Sequence, residues 1–169
     1  QFIKIEVEQN NCDIMLSFQN PEKTNIFEFK NEIFRNGVES QGAAIEADGE
    51  YELRLSSFEP AAQKGTYKLK IAELRQATEK ELSFTTGLRI TQEAFVKENP
   101  GNSTAEVVRQ SIGKMQIALE KFQYAENLEY VAINQNNIAS LYSRLGDYQR
   151  AIKHQLAAVE ASEKAGKID

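Results

Sequence analysis

Cysteine and histidine are almost missing from this chain, with one of each in 169 residues. That excludes a disulfide framework and any Cys/His zinc cluster. It also leaves almost no material for a nucleophile–base catalytic centre, and the chain is read as not an enzyme. No apolar run approaches the ~18 residues that a membrane span needs, so no membrane insertion is expected. Basic residues are not in excess: 20 Lys and Arg stand against 25 Asp and Glu, net −5. A nucleic-acid binder resting on a basic face is therefore disfavoured. No Gly-x-x-x-x-Gly-Lys-Ser/Thr phosphate loop occurs around Gly42, Gly49 or Gly65, and no cofactor is expected. What remains is 41% hydrophobic residues at a mean hydropathy of −0.52, the profile of a folded chain and not of a disordered one. The length suits one large domain or two small ones.

Gln1 opens into an alternation already under way, with no initiator Met and no targeting signal, and Gly166-Lys167-Ile168-Asp169 stops straight after a helical pattern. The expectation is a fragment of a longer protein. Charge and periodicity both change near residue 74. Residues 1–74 carry 13 acids and 8 bases, while residues 75–169 carry 12 of each. Two structural units are expected, 1–74 and 75–169, in an α+β chain.

The first unit reads as strands. Ile3, Ile5 and Val7 alternate with Lys4, Glu6 and Glu8, a period of two that buries one face of a sheet. Tyr51 to Ser56 and Tyr67 to Ile71 alternate in the same way, and Ile14 to Phe18, Ile26 to Phe29 and Ala43 to Ala47 are shorter candidates. Asn10-Asn11, Asn20-Pro21, Asn36-Gly37, Asp48-Gly49 and Lys64-Gly65 supply turn chemistry between them. Short strands at this spacing predict an antiparallel β-sandwich. The second unit reads as helices. Thr78-Glu79-Lys80-Glu81 is a capping box that opens a helix to about Glu98, which Asn99-Pro100-Gly101 must end. Ser103-Thr104-Ala105-Glu106 is a second capping box. Behind it Val108, Ile112, Met115, Leu119 and Phe122 form an amphipathic stripe. A third helix is expected from Leu128 to Leu145, then a Gly146-Asp147 turn and a fourth helix from Tyr148 to about Lys164. Gly87 and Gly113 fall inside helices, where close approach of a neighbouring element is the expected reason and flexible kinks the alternative.

Ser111-Ile112 aligns with Ala151-Ile152 at an offset of 40, and Ala118-Leu119 with Ala158-Val159, which suggests a repeated helical pair. The run Asn137-Ile138-Ala139-Ser140-Leu141-Tyr142-Ser143-Arg144-Leu145-Gly146-Asp147-Tyr148-Gln149-Arg150-Ala151-Ile152, followed by Ala158, resembles a tetratricopeptide repeat spanning residues 132–165. Gln135, Gln155 and Glu163 depart from that pattern, standing where an aromatic, an apolar or aromatic residue, and a proline are usual. The order of Phe2-Ile3-Lys4-Ile5-Glu6-Val7, Gly49-Glu50-Tyr51-Glu52-Leu53-Arg54-Leu55, Gly65-Thr66-Tyr67-Lys68-Leu69 and the helices is similar to a bacterial arrangement. There, a sandwich like the pre-peptidase C-terminal domain, jelly-roll-like in type, precedes tetratricopeptide repeats, and many such proteins end in a caspase-like CHAT domain. The resemblance implies a sandwich lacking its first strand, with an open edge and possible self-association through it. It also favours an extracytoplasmic location, periplasmic or secreted, over a cytoplasmic one.

Within that resemblance Asn137 falls where an asparagine often bonds the backbone of a bound peptide, and Ile133, Asn136, Ser140, Ser143 and Arg144 would line the same concave face. Ordinary solvated polar residues are the alternative. The expected function is non-catalytic binding of an unidentified peptide or protein. One alternative is a regulatory segment of a CHAT-type cysteine peptidase whose catalytic domain lies beyond Asp169. Another is a carbohydrate- or calcium-binding sandwich, although Asp13, Asp48 and Glu50 form no compact calcium loop. Cys12 and His154 fall in different units, which reads against a thiol–imidazole pair.

Overall fold

The alternation that opens the chain does form a strand. In the computed structural model β1 (Phe2–Asn10) buries Ile3, Ile5, Val7 and Gln9 and turns the intervening residues outward. The structure describes residues 1–12, 14–23, 25–29, 36–57, 65–96 and 104–166. The other strands are β2 (Ile14–Gln19), β3 (Asn25–Phe29), β4 (Asn36–Ala44), β5 (Glu52–Ser57) and β6 (Thr66–Arg75). Four helices follow: α1 (Glu79–Val96), α2 (Ala105–Tyr124), α3 (Leu128–Arg144) and α4 (Tyr148–Lys164). The molecule is thus α+β, and it divides into two compact units at Leu82/Ser83.

In the first unit the strands form two antiparallel three-stranded sheets, ordered β4-β1-β6 and β3-β2-β5. Their inner faces share one core, in which Ile3, Ile5 and Val7 meet Leu16, Phe18 and Ala43. Gln9 is the polar exception, buried with its side-chain Oε1 accepting from the Ile14 backbone N–H at 2.7 Å. That bond satisfies a buried amide at the start of β2. Tyr51 stacks on Phe18 with ring centroids 5.4 Å apart, and its hydroxyl donates to the Ala47 carbonyl at 2.8 Å.

Strand β4 departs from the sequence reading. The Asn36-Gly37 pair, expected as a turn, begins a nine-residue strand, and of the candidate at Ala43 to Ala47 only Ala43 and Ala44 belong to it, as its end. Few of its residues favour a strand by themselves. Unbroken pairing from Phe2↔Ala44 to Asn10↔Asn36 along β1 overrides that preference.

The passage from sheet to helix is held by one carboxylate. Thr78 and Glu81 form the expected capping box, with the Thr78 backbone N–H donating to Glu81 Oε2 at 2.8 Å and the Glu81 N–H donating to Thr78 Oγ1 at 3.3 Å. Arg75, at the end of β6, donates to both Glu81 oxygens at 2.7 and 3.0 Å. The Arg75 guanidinium above all, and then the Thr78 backbone N–H and hydroxyl that both donate to Glu81 Oε2, outweigh burial and hold the Glu81 carboxyl down at about 2 from its ordinary 4.5. A depressed carboxyl stabilises the fold above its unfolded value and stops doing so as pH falls through its folded one. Glu81→Ala should therefore cost about 1 kcal/mol at neutral pH. Thermal melts across the acid range should show the wild type losing this increment between pH 4.5 and about 2, and the variant lacking that part of the slope.

The second capping box is only partly within the described residues. Thr104 caps α2, its hydroxyl accepting from the Val107 N–H at 3.4 Å. Ser103 and the Asn99-Pro100-Gly101 break lie outside the described residues. The α2 stripe is buried as expected at Val108, Ile112, Met115 and Phe122, with Leu119 half-buried. Of these, Val108, Ile112, Met115 and Leu119 meet Ile138, Leu141 and Tyr142 of α3 and Ala94 of α1. At the other end of the helices Phe84, Phe122 and Tyr130 form an aromatic cluster with centroids 4.9–5.8 Å apart. Gly87 makes room for it, since a Cβ there would lie 2.7 Å from the Phe122 ring. Gly113 has no such reason: its missing Cβ would meet nothing within 4 Å, which overturns close approach as its explanation.

Candidate functional site

Helix α3 presents two unlike faces because its sequence alternates between them at helical spacing. Asn127 caps its start, Oδ1 accepting from the Tyr130 N–H at 3.1 Å. Leu145 ends it, and Gly146 takes the left-handed turn at φ +75° before Asp147 caps α4 by accepting from the Arg150 N–H at 3.1 Å. Val131, Ala132, Ile138, Ala139, Leu141 and Tyr142 face inward and are buried. The six residues singled out in the sequence all lie on the other side. Asn136, Ser140, Ser143 and Arg144 are exposed, Ile133 is 47% exposed, and Asn137 is half-buried. Steps of three and four residues keep them on one stripe. Two amides able both to donate and to accept, two hydroxyls, one cation and one apolar side chain thus face solvent together, and no acid stands among them.

Polar contacts that the sequence did not reveal lock the inner side. Asn134 is 1% exposed. Its Nδ2 donates at long range to Thr91 Oγ1 of α1 and Met115 Sδ of α2, at 3.5 and 3.6 Å. Its Oδ1 is buried with no hydrogen-bond partner among the described residues. Gln135, the position where the resembled pattern carries an aromatic, is also buried. Its Oε1 lies 2.6 Å from His154 Nδ1, so the neutral tautomer protonated on Nδ1 donates this bond. The His154 ring stacks on Tyr142 with centroids 5.4 Å apart, and the Arg150 guanidinium lies 5.5 Å from the Tyr142 ring centre. Burial, and secondarily the Lys153 cation, push the imidazole below its ordinary value. His154 is therefore a packed, neutral bridge between α3 and α4, and Cys12 lies in the other unit with its thiol donating to the Thr66 carbonyl at 3.3 Å.

An open cleft of about 480 Å³ lies on the side of α3 away from the polar stripe. Leu128, Val131 and Gln135 form one wall, and Ala157, Ala161 and Lys164 of α4 another. The sequence signal for it was Gln135 itself, a flexible polar side chain where an aromatic plate is usual, opposite small residues on α4.

Asp48 and Glu50 are exposed, and Asp13 lies outside the described residues. Among the described residues no three His, Cys, Asp or Glu side chains gather as a metal site would require. No described helix is long and apolar enough to cross a membrane. No protein-family model, curated protein or solved structure matches the chain.

Proposed function

We propose that the helical unit is a tetratricopeptide-like, non-catalytic interaction module that binds an extended peptide segment of a partner protein along α3. The observation that carries this reading is the single solvent-facing stripe of Ile133, Asn136, Asn137, Ser140, Ser143 and Arg144, backed by a helix face buried almost throughout. Asparagine amides pair with a peptide backbone in both directions, so Asn136 and Asn137 supply register-independent affinity. Ile133 adds apolar contact, and Arg144 adds a charge-assisted bond at the far end. Ala139, Ala151 and Ala158, where the repeat pattern that the run resembles places small residues at helix contacts, are buried. The β unit is read as a jelly-roll-like sandwich that carries the helices.

The test is selection of binding peptides from a displayed random library against the whole chain, followed by titration of the selected peptides. Asn137→Ala should weaken them about tenfold, and Asn137→Ala with Arg144→Ala about a hundredfold, since truncating a central interface bond costs roughly 1–2 kcal/mol. Circular dichroism should be unchanged, because neither side chain is part of the core. Peptides that bind both variants as well as the wild type would remove α3 as the site.

A further inference from the structure

Strand β6 is built as an inner strand and stands as an outer one. Its register along β1 pairs Val7↔Leu69 and Ile5↔Ile71, and, past a bulge, Ile3↔Leu74. Tyr67, Leu69, Ile71 and Leu74 therefore lie on the core side of the sheet, beside residues of β1 that are 1–8% exposed. Yet these four are themselves 52, 40, 60 and 60% exposed. Among the described residues the second sheet packs against β1, and Tyr67, Leu69, Ile71 and Leu74 take no part in the core that the two sheets share. Among the described residues no strand pairs with β6 on the side away from β1. An edge with unpaired backbone groups and an uncovered apolar row is the usual template for an added strand.

Charge specifies what kind of strand. On the outer face of β6 the exposed residues Lys68 and Lys70 lie opposite Glu8 and Glu6 of β1 and pair with them at 3.3 and 2.7 Å. They remain 83% and 68% exposed, so both side chains stay accessible to a second carboxylate. The one neighbour that β6 has among the described residues carries Ile-Glu-Val-Glu, apolar inward and acidic outward. A second neighbour satisfying the same two rows needs the same chemistry. A copy of this chain meets the requirement poorly, because antiparallel β6–β6 pairing centred on Leu69 sets Lys68 against Lys70.

We propose that β6 is a docking edge for an extended segment of a partner protein in which apolar residues alternate with acids. The segment pairs its backbone with the free side of β6. Its apolar side chains extend the row of Tyr67, Leu69 and Ile71, and its carboxylates face Lys68 and Lys70. This site is separate from α3 and stands whether or not the helices bind a peptide.

The probes are a Thr-Val-Glu-Val-Glu-Val-Thr heptapeptide and its counterpart with Lys in place of Glu, added to the full chain and followed by amide hydrogen exchange. The glutamate peptide should slow exchange of the β6 amides that face away from β1, and its binding should weaken with added salt. The Lys68→Glu, Lys70→Glu double variant should bind it roughly tenfold less well and prefer the lysine peptide. The salt series on the unaltered chain carries the test even if the double variant misfolds. Three results would overturn the proposal: no β6 protection by the glutamate peptide, equal binding of both peptides at all salt concentrations, or a dimer of the chain alone with those amides already protected.

Discussion

Phe122→Ala is expected to destabilise the helical unit by about 3–5 kcal/mol. The ring is 1% exposed and touches elements on every side: Phe84 of α1 at 5.8 Å, Tyr130 of α3 at 5.4 Å, and the bare Cα of Gly87. Truncation removes the transfer energy of the ring and leaves a cavity that its neighbours cannot fill, since Phe84 and Tyr130 are already fixed edge-to-face at 4.9 Å. Native domains hold only about 5–15 kcal/mol in all, so this one change should take a large share of the unit's stability. Urea melts followed by helical circular dichroism should show the midpoint falling sharply. A loss below about 1 kcal/mol would mean that the aromatic cluster does not hold α1 to α2 and α3. The reciprocal substitution Gly87→Leu should act in the same direction by overpacking, at about 1–3 kcal/mol.

The second large effect is expected at Ile5. It is 1% exposed at the centre of the core shared by the two sheets, with Leu16 and Phe18 across from it. Ile5→Ala should cost about 2–5 kcal/mol. A unit of this size buries a smaller share of its surface than a larger domain does, and has correspondingly little stability to lose. Loss of dispersed strand amide signals in the NMR spectrum of the variant is the readout, whereas an unchanged spectrum and melting profile would show that the two sheets do not share this core. Ile71→Ala serves as the contrast. It is apolar, sits in register opposite Ile5 on the neighbouring strand, and is 60% exposed, so it should cost well under 1 kcal/mol.

That contrast shows how far the sequence could be read. Alternation correctly assigned the inward face of both β1 and β6, because the side-chain period of a strand is local. Whether that face is covered is decided by distant residues, and for β6 the alternation gave no warning that Tyr67, Leu69 and Ile71 stay exposed. The same limit applies to β4, whose strand exists because β1 offers a nine-residue edge and not because Asn36 to Ala44 prefer extension. The helices were more legible, since capping residues and apolar stripes are also local: the Thr78 capping box and the α2 stripe stand as expected, while Asp147, expected only in a turn, also caps α4. On α3 the exposed stripe followed from helical spacing alone. Its buried counterpart held two residues that polarity argued outward, Asn134 and Gln135, and only the partners supplied by α1, α2 and α4 draw them in.

Asn134 has a consequence for how the helices find one another. An apolar interface alone tolerates sliding, because one methyl replaces another at little cost. A carboxamide sealed among three helices does not, since moving α3 by one turn along α1 and α2 would lose its two weak bonds to Thr91 and Met115 and bury the whole amide unpaired. Asn134 therefore acts as an alignment key: it gives up some stability in the correct arrangement, where Oδ1 has no partner among the described residues, and makes the shifted arrangements costlier still. The helical unit thus trades strength for a single stacking register, and that register sets where along α3 the exposed stripe begins.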